Sequence, residues 1–332
     1  MAAPSLSVSY KDLETMCREH IQPGFINEVT KATPFVTFLM ERIETDSYGQ
    51  RINVNFRHKR PDGNLIDEFG PNTKQGTDYK RREKVSRAYV TPKWARGAIH
   101  INVQEQDMNE GKAQLIKMLE MSFEDLRDDM VQSLSTGAWD DGTYTADGPW
   151  LGMQYWVPDD PTTGTVANVD RSDTTYQYWA RSIVDSTTTM SDFSPSKLNV
   201  MWGNCSAGGG DQSRFPDYAI TTKAIFDYLW AQVHPSLRNS ASNKIGKRMV
   251  EIGLQHINFN GIPITWDLDC PDDHFYFLRS KDWRLCLYPK RNFSFTELMQ
   301  LPNDEAIGKK LWLAGQIVCD APCRQGCFTA LA

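Results

Sequence analysis

A chain of 332 residues with 40% hydrophobic and 11% aromatic content has enough apolar mass to bury a substantial core, and its length allows about two domains. Its net charge of -6 argues against a dedicated nucleic-acid binder, whose affinity rests on clustered Lys and Arg. The sequence shows no basic segment leading into an apolar core at its start and no apolar run near about eighteen residues, so neither secretion nor membrane insertion is expected.

Residues 1–45 read as short helices without a core of their own. Ser9 caps a segment with Leu13, Met16, Cys17 and Ile21 on one side, stopped by Pro23-Gly24. Thr33-Pro34 then forms an N-cap with proline at the first helical position, followed by Phe35, Phe38, Leu39 and Ile43.

Asp46 to Gln106 reads as two alternating strand arms joined by a charged linker. Ile52, Val54 and Phe56 alternate with polar residues on the first arm; Ile99, Ile101 and Val103 alternate with His100 and Asn102 on the second, downstream of Pro92. Between them, Lys59 to Val85 holds Pro61-Asp62-Gly63, Gly70-Pro71-Asn72 and Gly76, which break regular structure, then the run Lys80-Arg81-Arg82-Glu83-Lys84. Such a hairpin is marginal alone in water and projects about 40 Å. The basic side chains Arg57, Lys59, Arg60, Lys80, Arg81, Arg82 and Lys84 make the segment net positive in a net negative chain, which favours docking on another copy. A solvated surface loop is the competing reading.

Asp107 and Glu110 have capping-box spacing, and Ile116, Leu119, Phe123, Leu126, Met130 and Leu134 recur at three- and four-residue steps. The pattern predicts one long helix to about Gly137, roughly 45 Å in length. Trp139 to Ser194, rich in Gly, Asp, Thr and aromatics, reads as turns and short strands. Asp217 to Thr221 then suits a strand, and Ile225, Phe226, Leu229, Trp230 and Val233 a helix ended by His234-Pro235. Asn260-Gly261 between Ile257, Phe259 and Ile262, Ile264 predicts a type I′ hairpin. Phe275 to Leu278, Arg284 to Tyr288, Phe293 to Phe295 and Leu311 to Val318 add strands, giving an α+β second half with mixed or antiparallel pairing.

Several groups invite a chemical reading. Asp267, Asp269, Asp272, Asp273 and His274 crowd one turn, where oxygen ligands suit a hard cation, but the spacing matches no EF-hand and a solvated turn fits better. Cys319, Cys323 and Cys327 recur every four residues, yet Pro322 and Gly326 oppose a helix and the spacing is loose for zinc. With Cys17, Cys205, Cys270 and Cys286 they make seven cysteines, an odd number that suits free thiols. Gly208-Gly209-Gly210 precedes no Lys-Ser or Lys-Thr, and neither a G-x-S-x-G elbow nor an H-E-x-x-H pair occurs. No catalytic residue, cofactor or metal ligand is assigned. The ten tryptophans are read as core and interface residues, since no basic groove accompanies them in the sequence.

The order of these parts resembles the major capsid proteins of tailed phages, the Hong Kong 97-like fold. The phrases carrying the resemblance are Val29 to Ile43 leading into Tyr48-Gly49-Gln50-Arg51, Tyr178-Trp179-Ala180-Arg181-Ser182, Asp217 to Thr222, and Phe259-Asn260-Gly261-Ile262-Pro263-Ile264 followed by Asp269-Cys270-Pro271 and Phe275 to Leu278. The resemblance implies an N-terminal arm (1–45), an extended two-stranded loop (46–106), a spine helix with a peripheral domain (107–180, completed by 290–332) and an axial domain (181–289). It further implies a structural protein of the virion, made in the cytoplasm of a host bacterium, whose copies form hexamers and pentamers around double-stranded DNA. Scaffolding and portal proteins, and a decoration protein in some shells, are the implied partners. Some relatives carry a cleaved N-terminal scaffolding segment, and the sequence from Met1 shows no long coiled region before the arm, a departure that suggests separate scaffolding and no proteolytic maturation. A protein-enclosing nanocompartment of the same fold is the nearest alternative, and a metal-dependent enzyme using the Asp267 to His274 turn is the alternative from another class.

Overall fold

Proline fixes φ where a first helical turn needs it, and the computed structural model of the chain places helix α1 at Pro34–Met40. The structure describes residues 33–46, 48–57, 85–102, 112–143, 150–206, 214–232, 256–297, 299–300 and 306–331. The Ser9 segment, Val103, the Asp107 and Glu110 cap, Gly208 to Gly210 and Val233 lie outside them. Thr33 caps α1 through its backbone: its carbonyl accepts from the Thr37 N–H at 3.0 Å and the Thr37 hydroxyl at 2.8 Å. Ile43 is not part of this helix. It begins strand β1 (Ile43–Thr45), because the chain turns at Glu41 and Arg42 and runs parallel to a strand at 285–287.

Strand β2 (Ile52–Arg57) buries Ile52, Val54 and Phe56 as its alternation predicts. Its partner differs from expectation. It pairs antiparallel with β3 (Val85–Val90), Ile52 opposite Val90 and Arg57 opposite Val85. Ile99 and Ile101 lie on β4 (Lys93–Asn102), which pairs instead with a strand near the C-terminal end of the chain. Period-two alternation marks both as strands but carries no information about partners, and Val85–Val90, with Ala88 and Val90 buried, is the nearer mate.

Helix α2 (Lys112–Trp139) spans 28 residues, about 42 Å, with Phe123, Leu126, Met130 and Leu134 buried. Beyond it come α3 (Met153–Trp156), β5 (Thr165–Val166), β6 (Val169–Asp170), α4 (Gln177–Ala180) and β7 (Ile183–Asp185). Their shortness has a local cause: Asp160, Asp170, Asp173 and Asp185 each accept a hydrogen bond from the backbone N–H two residues on, closing a turn that competes with longer elements. The chain continues through α5 (Pro195–Cys205), β8 (Tyr218–Thr221), α6 (Lys223–Gln232), β9 (Ile257–Phe259), β10 (Ile262–Trp266), β11 (Phe275–Leu278), β12 (Trp283–Leu287), β13 (Ser294–Phe295), β14 (Met299–Gln300), β15 (Ala306–Cys319) and β16 (Gly326–Phe328). Asn260 and Gly261, both at positive φ, form the tight turn that their dipeptide predicts.

Two six-stranded sheets organise these elements. In the first, β15 is central: β4 lies along one edge, while β12, β13 and β14 share the other, with β1 beyond β12. The second runs β7-β16-β11-β8-β10-β9, parallel at β7-β16 and β8-β10 and antiparallel elsewhere. Two strands thus cross the division expected at 289/290: β12 joins the first sheet and β16 the second.

The second sheet is covered on both faces. Tyr218, Ile220, Tyr276, Leu278 and Cys327 face one cluster with α1 and α2; Ala219, Phe275, Phe277 and Phe328 face another with α5 and α6. Between the sheets sits α1. Phe35 lies 4.8 Å from the ring of Trp139 at the end of α2 and 6.0 Å from that of Trp283 on β12, and Phe38 stacks on Tyr218 of β8 at 4.9 Å. Phe35→Ala should lower stability by about 3–5 kcal/mol, read as a fall in unfolding midpoint with denaturant slope unchanged. A loss below about 1 kcal/mol would mean α1 is not the joint between the sheets.

Candidate assembly surfaces

The base of the charged linker is built into the body. Phe56 stacks on Trp179 with ring centroids 4.0 Å apart and meets Tyr176 edge-on at 5.9 Å. The Tyr89 N–H donates to the Ala167 carbonyl at 3.0 Å, and the Ala167 N–H donates to the Tyr155 hydroxyl oxygen at 2.7 Å. Arg171, buried beside them, donates to the Tyr155 carbonyl at 2.6 Å; burial lowers its pKa to about 10. Across the hairpin, Arg87 Nε donates to Asn55 Oδ1 at 3.2 Å, and the Arg51 guanidinium lies 4.2 Å from the Tyr89 ring centre. Arg57 and Val85, paired and exposed, are therefore the fixed points from which residues 58–84 leave and return. Of the cations assigned to intersubunit contact, Arg57 alone is placed here; Lys59, Arg60, Lys80, Arg81, Arg82 and Lys84 lie outside the described residues. Nothing in the sequence pairs Phe56 with Trp179, which are joined only by folding.

The turn at 267–274 is structural. Asp267, 2% exposed, accepts from the Phe35 N–H at 3.2 Å and the Asp269 N–H at 3.0 Å, so it clamps the start of α1 to the end of β10. Asp269 accepts from the Ser135 hydroxyl on α2. His274 Nε2 lies 2.9 Å from Asp159 Oδ1, and its Nδ1 meets the Asp272 carbonyl. Its ring stacks on Tyr276 at 5.7 Å. Among the described residues no three His, Cys, Asp or Glu side chains are placed to hold a metal ion.

Cys319, Cys323 and Cys327 fall on three different elements, the end of β15, a 3-10 turn at Pro322–Arg324, and β16. Together with Cys205, Cys270 and Cys286 they are free. Burial pushes the Cys323 thiol up to about 11 and those of Cys319 and Cys327 well above the ordinary range, which leaves little thiolate at neutral pH. Among the described residues no helix is long and apolar enough to cross a membrane.

No protein-family model matches the chain, and no curated protein does. Solved structures match along most of its length. The Cyanophage A-1(L) capsid asymmetric unit aligns at 14% identity with a TM-score of 0.64, covering 90% of this chain and 92% of that one. The capsid of Myoviridae phage XM1 aligns at 12% identity and a TM-score of 0.51, covering 89% and 92%. The SrpI encapsulin complex of Synechococcus elongatus PCC 7942 gives 10% identity and 0.51, covering 89% and 87%. The chain has the α+β fold of these capsid subunits, the Hong Kong 97-like fold.

The Asp267 clamp gives a pH test. Burial raises its carboxyl above the ordinary range, although the Asp269 and Phe35 N–H donors partly offset this. The native state then holds this proton more tightly than the unfolded chain, so the group contributes most below its unfolded value and that contribution is lost as pH rises through the raised one. Asp267→Asn keeps an acceptor for the Phe35 N–H and removes the ionisation. Denaturant unfolding near about pH 4 and about pH 8 should show the variant gaining on the unsubstituted chain at the higher pH. Equal differences at both values would mean that burial of this charge does not limit stability.

Proposed function

We propose that this chain is the major capsid protein of a tailed phage, assembling as hexamers and pentamers into an icosahedral shell around double-stranded DNA. The observation that carries the reading is the likeness to a cyanophage capsid subunit over nine-tenths of both chains. The anchored hairpin supports it from the physics. A net-positive strap with rigid exit points on a net-negative body reaches copies of itself, and many weak contacts sum through multivalency into a closed shell. The charged linker between β2 and β3 carries contacts between copies, α2 and the first sheet, with β1 and β4 in it, form the peripheral part, and the second sheet the axial part. Scaffolding and portal proteins act during assembly, with a decoration protein as a further partner, and the product is the virion capsid.

A protein-enclosing nanocompartment is the second reading, favoured by the encapsulin likeness. An enzymatic role at the Asp267 turn fits less well, since Asp267 and Asp269 are committed to Phe35 and Ser135 and His274 to Asp159.

Electron micrographs of the purified protein, alone and with a co-expressed scaffold, should show closed shells, and the contents separate the two readings: packaged DNA for a capsid, a co-purifying cargo protein for a nanocompartment. Small soluble oligomers under both conditions would overturn both. Reversing Lys80, Arg81, Arg82 and Lys84 to Glu should abolish or sharply reduce shells while circular dichroism shows a folded subunit. Normal shells from that variant would remove the strap cations from the assembly contacts.

A further inference from the structure

The surface of the first sheet turned away from α2 has a composition found in no single stretch of sequence. Gly97 faces the helix, where an added Cβ would stand 2.3 Å from Leu126 Cδ1, so Trp94, Arg96, Ala98 and His100 take the other side of β4. On β15, Leu311 and Leu313 are buried in the core, leaving Lys310 and Trp312 on that same outer side. Register places Arg96 beside Trp312 and Ala98 beside Lys310. The Trp94 ring, 54% exposed, lies 6.0 Å from that of Trp312. Arg291, in the turn after β12, lays its guanidinium over both indoles, 6.0 Å from the Trp94 centre and 5.2 Å from the Trp312 centre. Arg96 and Lys310 are exposed, and neither they nor Arg291 form an ion pair among the described residues. The nearby carboxylates Glu44 and Asp320 are both held by Arg284, at 2.6 and 2.9 Å.

The other side of the same layer is covered by a helix. α2 lies against the inner face of the sheet and exposes Asp125 and Asp129 to solvent. A second copy docking its α2 side on this basic sheet side would make a contact between two different surfaces. Such a heterologous contact closes into a ring only where its rotation closes and otherwise runs on as an open filament. The face instead suits a polyanion. The Arg291 guanidinium, held against two mutually perpendicular indoles and in no ion pair among the described residues, keeps N–H donors for oxygens, and with two further exposed cations on the same sheet face it matches phosphodiester groups.

We infer that the outer face of the β4–β15 sheet is a contact surface for the backbone of duplex DNA inside the shell, with Arg96, Arg291 and Lys310 meeting phosphates and Trp94 and Trp312 holding Arg291 in place. The inference rests on the shell reading above for where the duplex lies, but the contact itself is measurable without shells. A labelled duplex of arbitrary sequence, about two helical turns long, is titrated with the purified full chain over a salt series. Binding should weaken with salt by about 0.9 log units per log unit of salt for each phosphate neutralised. The R96Q/R291Q/K310Q variant should bind at least about tenfold more weakly near 50 mM salt and lose close to three such contacts from the slope. The strap cations remain in both proteins, so the difference reports this face alone. R96K/R291K, which keeps the charge, should retain the salt slope, and matching thermal unfolding curves confirm that the variants are folded. A duplex that does not bind the unsubstituted chain, or binds the triple variant equally well, overturns the inference. Binding of polyglutamate in place of the duplex also overturns it, pointing to an acidic protein partner. Micrographs of the same preparations report separately: shells from a chain that ignores the duplex refute the contact, and duplex binding without shells refutes its place inside one.

Discussion

The placement of α1 between two sheets and the end of α2 is the constraint on which the remaining packing depends. Seven residues are too few for a helix that stands alone in water. This one persists because Phe35, Val36, Phe38 and Leu39 are almost fully buried in the core that α1 shares with α2 and both sheets. Phe35 joins Trp139 to Trp283, and so fixes the spine against the first sheet; Phe38 on Tyr218 fixes the second sheet against both. Asp267 adds direction to this apolar contact by receiving the Phe35 N–H, which would otherwise be an orphan of the first helical turn. The cost is a buried carboxylate held above its ordinary pKa. A hydrophobic joint alone would resist separation of the sheets but would tolerate rotation of α1; the hydrogen bond removes that freedom.

The tryptophans complete the joint. Trp156, Trp179 and Trp283 donate their indole N–H groups to the Ile317 carbonyl, the Asp320 carbonyl and Gln325 Oε1 in turn. Three separate parts of the chain are thereby tied to residues 317–325, the stretch that leaves the first sheet at β15 and enters the second at β16. Each ring supplies apolar area while its one polar group is satisfied, the condition for burying an indole. The same crossing explains why burial pushes the Cys319 and Cys327 thiols well above the ordinary range: they sit, fully buried, where the chain passes from one sheet to the other.

Local pattern revealed elements well and partners poorly. The spine helix, β2, the Asn260-Gly261 hairpin and β11 were legible because each is written in a short window of periodicity or turn chemistry. β3 was not, because Val85 follows so closely on the charged run that it reads as part of the linker, and the apolar alternation of Ile99 and Ile101 offered an equally good mate for β2. β16 was hidden by Pro322 and Gly326, which break helical continuity but leave three residues free to pair with β11. The cationic face is a further step removed. Arg96, Arg291 and Lys310 come from three segments, and Trp94 and Trp312 read only as two of ten core and interface tryptophans, so the grouping exists only once β4 and β15 are in register.

The anchoring of the hairpin base also bears on what the charged linker contributes to the proposed assembly. A linker that swings from a flexible root samples a large volume, and the effective concentration of its far end near any one neighbour is correspondingly low. Phe56 stacked on Trp179, with the Tyr89 N–H tied to Ala167 and Ala167 in turn to Tyr155, gives the root a fixed direction. In the proposed shell, weak contacts from a linker so anchored count for more, since less orientational entropy is lost when each forms. On the proposed reading the anchored root and the charged linker are complementary: charge brings copies together over distance, and the stacked aromatic base fixes the bearing from which they dock.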